Sequence, residues 1–238
     1  MAAGGSEVTS QIATALCGGQ GTTYAGDDLL WILDNTRNLY SPCWMYQKAL
    51  EDCTTDVLTM LHDDVTIHDP NWHDRIMEQF LISDEVVAVG LGGAIVLGNR
   101  NLYRKPYDIR NMARGGYRSN QTDAETHGER FTGACRVAVL DAFCMAVRVE
   151  WLRSRGGWPV KHLSHHCLDL WLACEATRCG KEIWVVGASC THHGGRTSVS
   201  SLYKDAAWLQ GGSRESDHQI PHRWLATEYL DILPIDRG

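Results

Sequence analysis

The residues with the densest chemistry in this 238-residue chain stand in one short run, Met60-Leu61-His62-Asp63-Asp64-Val65. An imidazole and two carboxylates within three positions suit a divalent cation that prefers hard oxygen donors but accepts nitrogen. The apolar residues before them, Val57 to Leu61, read as a short buried strand. A strand that ends in acids delivers them to the carboxyl edge of a sheet, where open α/β sheets bind ligands. The alternative is an acidic turn that only ends the strand. A second acid, Asp34, closes the apolar stretch Leu29 to Leu33 in the same way. It can also serve as an Asx-turn with Asn35.

The elements that must position these groups follow from periodicity and punctuation. Gln11 to Cys17 could form a first strand, and residues 1–10 a loose start. Ser41-Pro42 predicts a helix start, Ser as N-cap and Pro at the first turn, running to about Asp52. Asp69-Pro70 predicts another, with Trp72, Ile76 and Phe80 on one face. Val86 to Val89 predicts a strand, and Gly90-Leu91-Gly92-Gly93 a turn. Residues 99–130 read as one long polar loop, with Arg100, Arg104, Lys105, Arg110, Arg114 and Arg118 against Asp108 alone in its first part. Such a loop is either solvated and flexible or a basic lid or edge for an anionic ligand. Val137 to Leu140 runs into Asp141, and Phe143 to Val147 is another strand. Ser164 predicts the cap of a helix that holds Asp169 and ends at Gly180. Ile183 to Val186 leads to Thr191-His192-His193-Gly194-Gly195, and the tail from His222 to Leu233 is amphipathic and stops at Pro234. Alternation of strands and helices predicts one α/β domain over 1–238, a mostly parallel sheet with helices on both faces.

Composition bounds the function. A net charge of −7 argues against a general nucleic-acid coat, though not against a local basic groove. No apolar run is long enough to span a membrane, and the start, Met-Ala-Ala-Gly-Gly-Ser, has no leader pattern. Nine cysteines without a Cys-x-x-Cys pair fit reduced thiols, so a cytoplasmic protein is expected. Cys167, Cys174, Cys179 and Cys190 beside His165, His166, His192 and His193 leave a structural zinc site open as an alternative.

Three blocks give the chain a resemblance to GT-A-fold (Rossmann-like) glycosyltransferases of the family 2 type. The first is Asp56 to Val65 with Asp69-Pro70-Asn71-Trp72. The second runs from Asp141 through Arg148 and Gly156-Gly157-Trp158 to Asp169. The third is Gly180 to Val186 followed by His192-His193-Gly194-Gly195. The Tyr103-to-His127 region and the ending from Trp224 to Ile235 are similar to compact bacteriophage members. The resemblance implies a metal-dependent, inverting transfer of a hexosyl or pentosyl group from a nucleoside-diphosphate sugar, UDP-linked by default, to an acceptor hydroxyl. Phage members suggest a hydroxymethylated pyrimidine in DNA as acceptor; a polysaccharide or lipid-linked glycan is the alternative. It implies Mn2+ or Mg2+ on Asp64 with His192 or His193. Asp34, His62, Asp63, Asp64 and Arg100 would contact the donor, and His165 and His166 the acceptor. Asp169 would be the base, with Asp141 as the alternative base or a donor-sugar contact. Two positions depart from the family pattern: His62 and Cys167 stand where acids are usual. A catalytically inactive nucleotide binder is therefore the remaining reading.

Overall fold

The computed structural model describes residues 2–3, 32–33, 38–62, 64–98, 116–121, 130–193 and 201–238. The expected strand at Gln11–Cys17 and the candidate residues Asp34, Asp63 and Arg100 lie outside them. In chain order the elements are β1 (Ala2–Ala3), β2 (Ile32–Leu33), α1 (Pro42–Asp52), β3 (Val57–His62), β4 (Val65–Ile67), α2 (Trp72–Ile82) and β5 (Val86–Gly90). Then come β6 (Gly92–Ala94), β7 (Val96–Leu97), β8 (Tyr117–Ser119), β9 (Ala134–Val137), β10 (Val139–Leu140) and β11 (Cys144–Arg148). The remainder is α3 (Val149–Ser154), α4 (Leu168–Arg178), β12 (Glu182–Val186), β13 (Cys190–His192), α5 (Ser201–Lys204), a 3-10 turn at Gln210–Gly212, α6 (Arg214–Glu228) and β14 (Ile235–Asp236).

A seven-stranded sheet in the order β2-β1-β3-β11-β5-β12-β9 forms the centre. The α/β class therefore stands, but the sheet is mixed rather than mostly parallel. The pairs β1–β2, β1–β3 and β5–β12 are parallel, whereas β11 runs antiparallel between β3 and β5, and β9 antiparallel on β12. Alternate side chains leave the sheet on opposite faces. Met60, Met145 and Val147 join the larger core with residues of α1, α3, α4 and α6, while Leu61, Cys144 and Ala146 join a second core with Ile76 and Phe80 of α2. Helices thus cover both faces.

Several boundaries differ from the sequence-based expectations for physical reasons. At α1 the expectation holds: Ser41 Oγ accepts from Trp44 N at 3.2 Å. At α2 the helix begins later, at Trp72, because Asp69 is taken up by Asn71 N and by an ion pair with Arg75. Ser164 does not cap α4. Its hydroxyl instead donates to Asp217 of α6, and Cys167, in the left-handed region at φ 68°, sits at the helix start. A tertiary partner has outcompeted the local cap. The tail helix begins at Arg214, capped by Ser213, eight residues before the expected His222, and carries Pro221 inside it; its first half is polar and gives no apolar period.

The Gly90–Gly93 run is not a turn. After Leu91 the chain re-enters a strand, β6, which pairs with β10 and with β8, an element inside the stretch read as loop. Here glycine permits close approach rather than reversal: a β-carbon on Gly93 would collide with the Val139 carbonyl oxygen. Gly93→Ala is therefore expected to destabilise the protein by about 1–3 kcal/mol, measurable as a lowered midpoint in urea at unchanged slope.

Candidate functional site

The strand β3 ends at His62, and the chain turns through Asp64 into β4. Strand β13 lies antiparallel on β4 with His192 opposite Val65. This ladder and the hydrogen bond from His193 N to Asp64 O (2.7 Å) bring His192 beside Asp64. His192 Nε2 is 3.3 Å and His62 Nδ1 4.0 Å from Asp64 Oδ1. One ligand atom each from His62, Asp64 and His192 lies within 4.8 Å of the others, and among the described residues this is the only such cluster of three or more. The zinc arrangement of cysteines and histidines is not among them. His193 points elsewhere, to Thr66 Oγ1 at 3.1 Å.

The site is half enclosed. The Asp64 side chain keeps 14% exposure and that of His192 21%, while that of His62 keeps 38%. Phe143 stacks on His192 with ring centres 5.1 Å apart, and its carbonyl accepts from His62 N at 2.9 Å. Burial alone would push the Asp64 carboxyl up. The hydrogen-bonding proximity and charge of His192, then the charge of His62, outweigh it and hold the group below its ordinary value. His62 is lowered, foremost by burial, partly offset by Asp64 and reinforced by His192.

A cation fits this arrangement on an observation of its own. Asp64 Oδ1 is buried and has no hydrogen-bond partner, although His192 Nε2 is within 3.3 Å. A buried charged oxygen in that state calls for an ion or water. Three protein donors leave coordination positions open, as in a catalytic rather than a closed structural site. Two nitrogens favour Mn2+ over Mg2+.

The acids of the second block meet at the same edge. Since β11 is antiparallel to β3, the turn Asp141–Phe143 falls beside the end of β3. Asp141 accepts from Tyr117 Oη at 2.8 Å. Asp169 lies in the first turn of α4, where the helix dipole favours the anion, yet its carboxyl is pushed up to about 7. Burial is the main cause and the charge of Asp141 the next, against hydrogen bonds from Leu170 N and its own amide. That is the pattern of paired carboxylates with separated roles.

The two acceptor-side histidines divide. His165 packs on Tyr203 and Trp208, and burial, then the proximity of His62, pushes it down to about 3. His166 turns inward: Tyr203 Oη lies 2.7 Å from its Nε2, and His218 packs against its ring. Burial, then His165 and His218, push it down to about 2. His62 was expected among donor contacts. Its place in the cation cluster was signalled by the i, i+2 spacing to Asp64. Tyr117 and Gln121 carried no such signal.

No known protein family matches the chain, and no curated protein matches it. Among solved structures, the crystal structure of A197 from STIV is similar with a TM-score of 0.46 and 13% identity, over 82% of this chain and 84% of that one. The crystal structure of GalNAc-T7 with UDP, GalNAc and Mn2+ is similar with a TM-score of 0.48 and 12% identity; the match covers 95% of this chain and 49% of that one. The chain thus spans about half the length of the latter. Both are distant likenesses of chain path and bring no chemistry to this site.

The raised Asp169 carboxyl has a stability consequence. Between its unfolded value, about 4, and about 7, the folded state holds a proton that the unfolded chain releases, so stability falls as pH rises through that window. Asp169→Asn is expected to be more stable than wild type at pH 8, by on the order of 2–4 kcal/mol, with the difference gone below pH 4. Urea denaturation across pH measures it.

Proposed function

We propose that the protein is a metal-dependent glycosyltransferase that moves a sugar from a nucleoside diphosphate to an acceptor hydroxyl. The observation that carries this reading is the His62–Asp64–His192 cluster at the carboxyl edge of the sheet, with its unpartnered buried carboxylate oxygen, facing the Asp141–Asp169 pair. A divalent cation held by these three residues, Mn2+ ahead of Mg2+, would act as a Lewis acid on the leaving diphosphate.

The chain's own residues then have distinct work. His62, Asp64 and His192 orient the diphosphate end of the donor. Asp169, whose carboxyl takes a proton near neutral pH, receives the proton of the acceptor hydroxyl as that oxygen attacks the anomeric carbon. The bond from anomeric carbon to phosphate oxygen breaks, and its electron pair leaves with the diphosphate. One such displacement inverts the anomeric centre. Asp141 maintains the basicity of Asp169 or touches the donor sugar. His165, within electrostatic reach of His62, is the proposed acceptor contact, with His166 packed against it. Asp34, Asp63 and Arg100 retain donor-binding roles on the strength of the sequence alone, with a UDP-sugar as the default donor. The Arg-rich stretch at 100–118 makes DNA with hydroxymethylated pyrimidines the first acceptor to test, ahead of a glycan. No helix among the described residues is long and apolar enough to cross a membrane.

Thermal unfolding with Mn2+ and UDP, GDP, CDP, TDP or ADP tests the donor site. A ligand at 100 times its Kd stabilises the native state by about 2.7 kcal/mol. One nucleotide is expected to raise Tm with Mn2+ and not without it, and Asp64→Ala to abolish the shift. With that donor, Asp169→Asn is expected to lower the transfer rate by about 100- to 10,000-fold at little cost in nucleotide binding. No shift with any nucleotide in folded protein contradicts the proposal.

A further inference from the structure

The stretch 99–130 reads as loop, yet its middle is built into the site. Strand β8 pairs with β6, placing Tyr117 opposite Ala94 and Ser119 opposite Gly92. Tyr117 Oη donates to Asp141 Oδ2 at 2.8 Å, and Gln121 Nε2 donates to Tyr117 Oη at 2.9 Å. Gln121 is 3% exposed and forms a bridge to Cys190, two residues before His192. Burial and the charge of Asp141 push the Tyr117 hydroxyl up, so it remains protonated and a fixed donor. Room for the pair comes from Gly92: a β-carbon there would lie 2.6 Å from Tyr117 Oη, 2.8 Å from the Phe143 ring and 3.2 Å from Gln121 Nε2. Gly92 O also accepts from Asp141 N at 2.8 Å. Asp141 is therefore held from its backbone and from its carboxylate, by β6 on one side and the β8 segment on the other.

We propose that Tyr117 and Gln121 are positioning residues for Asp141: the relay from Gln121 through Tyr117 holds the Asp141 carboxylate in place, so that Asp169 stays the group that exchanges the acceptor's proton. The role of Asp169 rests on the glycosyl-transfer reading; the relay itself does not. The titratable groups around Asp169 are Asp141, from the turn before β11, and Cys167, at the start of its own helix. Burial, then Asp169 and Asp217, push the Cys167 thiol well up, and Asp141 is the neighbour whose charge raises Asp169. Freed from its hydroxyl donor, the Asp141 carboxylate can swing to solvent, where water screens its charge from Asp169.

The test is carboxyl NMR of the full chain with 13C-labelled aspartate, titrated in wild type, Tyr117→Phe, Gln121→Met and Asp141→Asn, with Asp169→Asn to assign the signal. The Asp169 midpoint, about 7 in wild type, is expected to fall by about one pH unit in Asp141→Asn and in Tyr117→Phe, and by less in Gln121→Met. A folded Tyr117→Phe with the wild-type midpoint overturns the relay, as does an Asp141→Asn that leaves it in place. Should Tyr117→Phe not fold, Gln121→Met decides by the same criterion. The expected fall in midpoint in a protein that binds no nucleotide with Mn2+ would uphold the relay and sink only the transferase reading.

Discussion

The arrangement depends on a carboxylate placed where no hydrogen-bond partner satisfies it. Asp64 Oδ1 is buried between His192 and His62 and lacks a hydrogen bond. A buried ion costs several kcal/mol unless opposite charge or good donors compensate. Two imidazole rings that make no hydrogen bond to that oxygen compensate less well than a dication between the three would. The surrounding construction serves that geometry. The β4–β13 ladder fixes the register of His192, the Phe143 ring packs its face, and the backbone of Phe143 ties down His62.

Antiparallel insertion of β11 couples this cluster to the acid pair. Had the strand run parallel, the turn from Asp141 to Phe143 would sit at the opposite edge of the sheet. As built, that turn places Phe143 against His192 and Asp141 within electrostatic reach of both His62 and Asp169. Cys167 in the left-handed region lets the chain enter α4 sharply, and the buried Asp217 holds Ser164 just ahead of it. Strain of this kind is retained where the surroundings over-determine it, and here it stands two residues from Asp169.

Much of this was legible in the sequence because local signals agreed with the tertiary outcome. The Ser41-Pro42 cap, the strand from Val57 and the helix face of Trp72, Ile76 and Phe80 follow from punctuation and period alone. Asp64, His192, Asp141 and Asp169 stand out as chemistry at element ends. What stayed hidden depends on partners far along the chain. Ser164 looks like a cap until Asp217 claims it. Gly92 and Gly93 look like a turn, because sequence does not distinguish a glycine that bends from one that lets Tyr117 or Val139 approach. Tyr117 and Gln121 sit in a stretch without apolar period, so nothing local links them to Asp141. The choice between His192 and His193 is a matter of strand register, which adjacent identical residues do not encode.

Pulsed electron paramagnetic resonance of bound Mn2+ tests the central claim most directly, because nitrogen ligands reveal themselves by hyperfine coupling. The account predicts one Mn2+ per chain with coupling to two imidazole nitrogens, reduced to one in His62→Ala and in His192→Ala, unchanged in His193→Ala, and no ordered site in Asp64→Ala. Stoichiometric Mn2+ without imidazole coupling, or a site indifferent to Asp64→Ala, would contradict it.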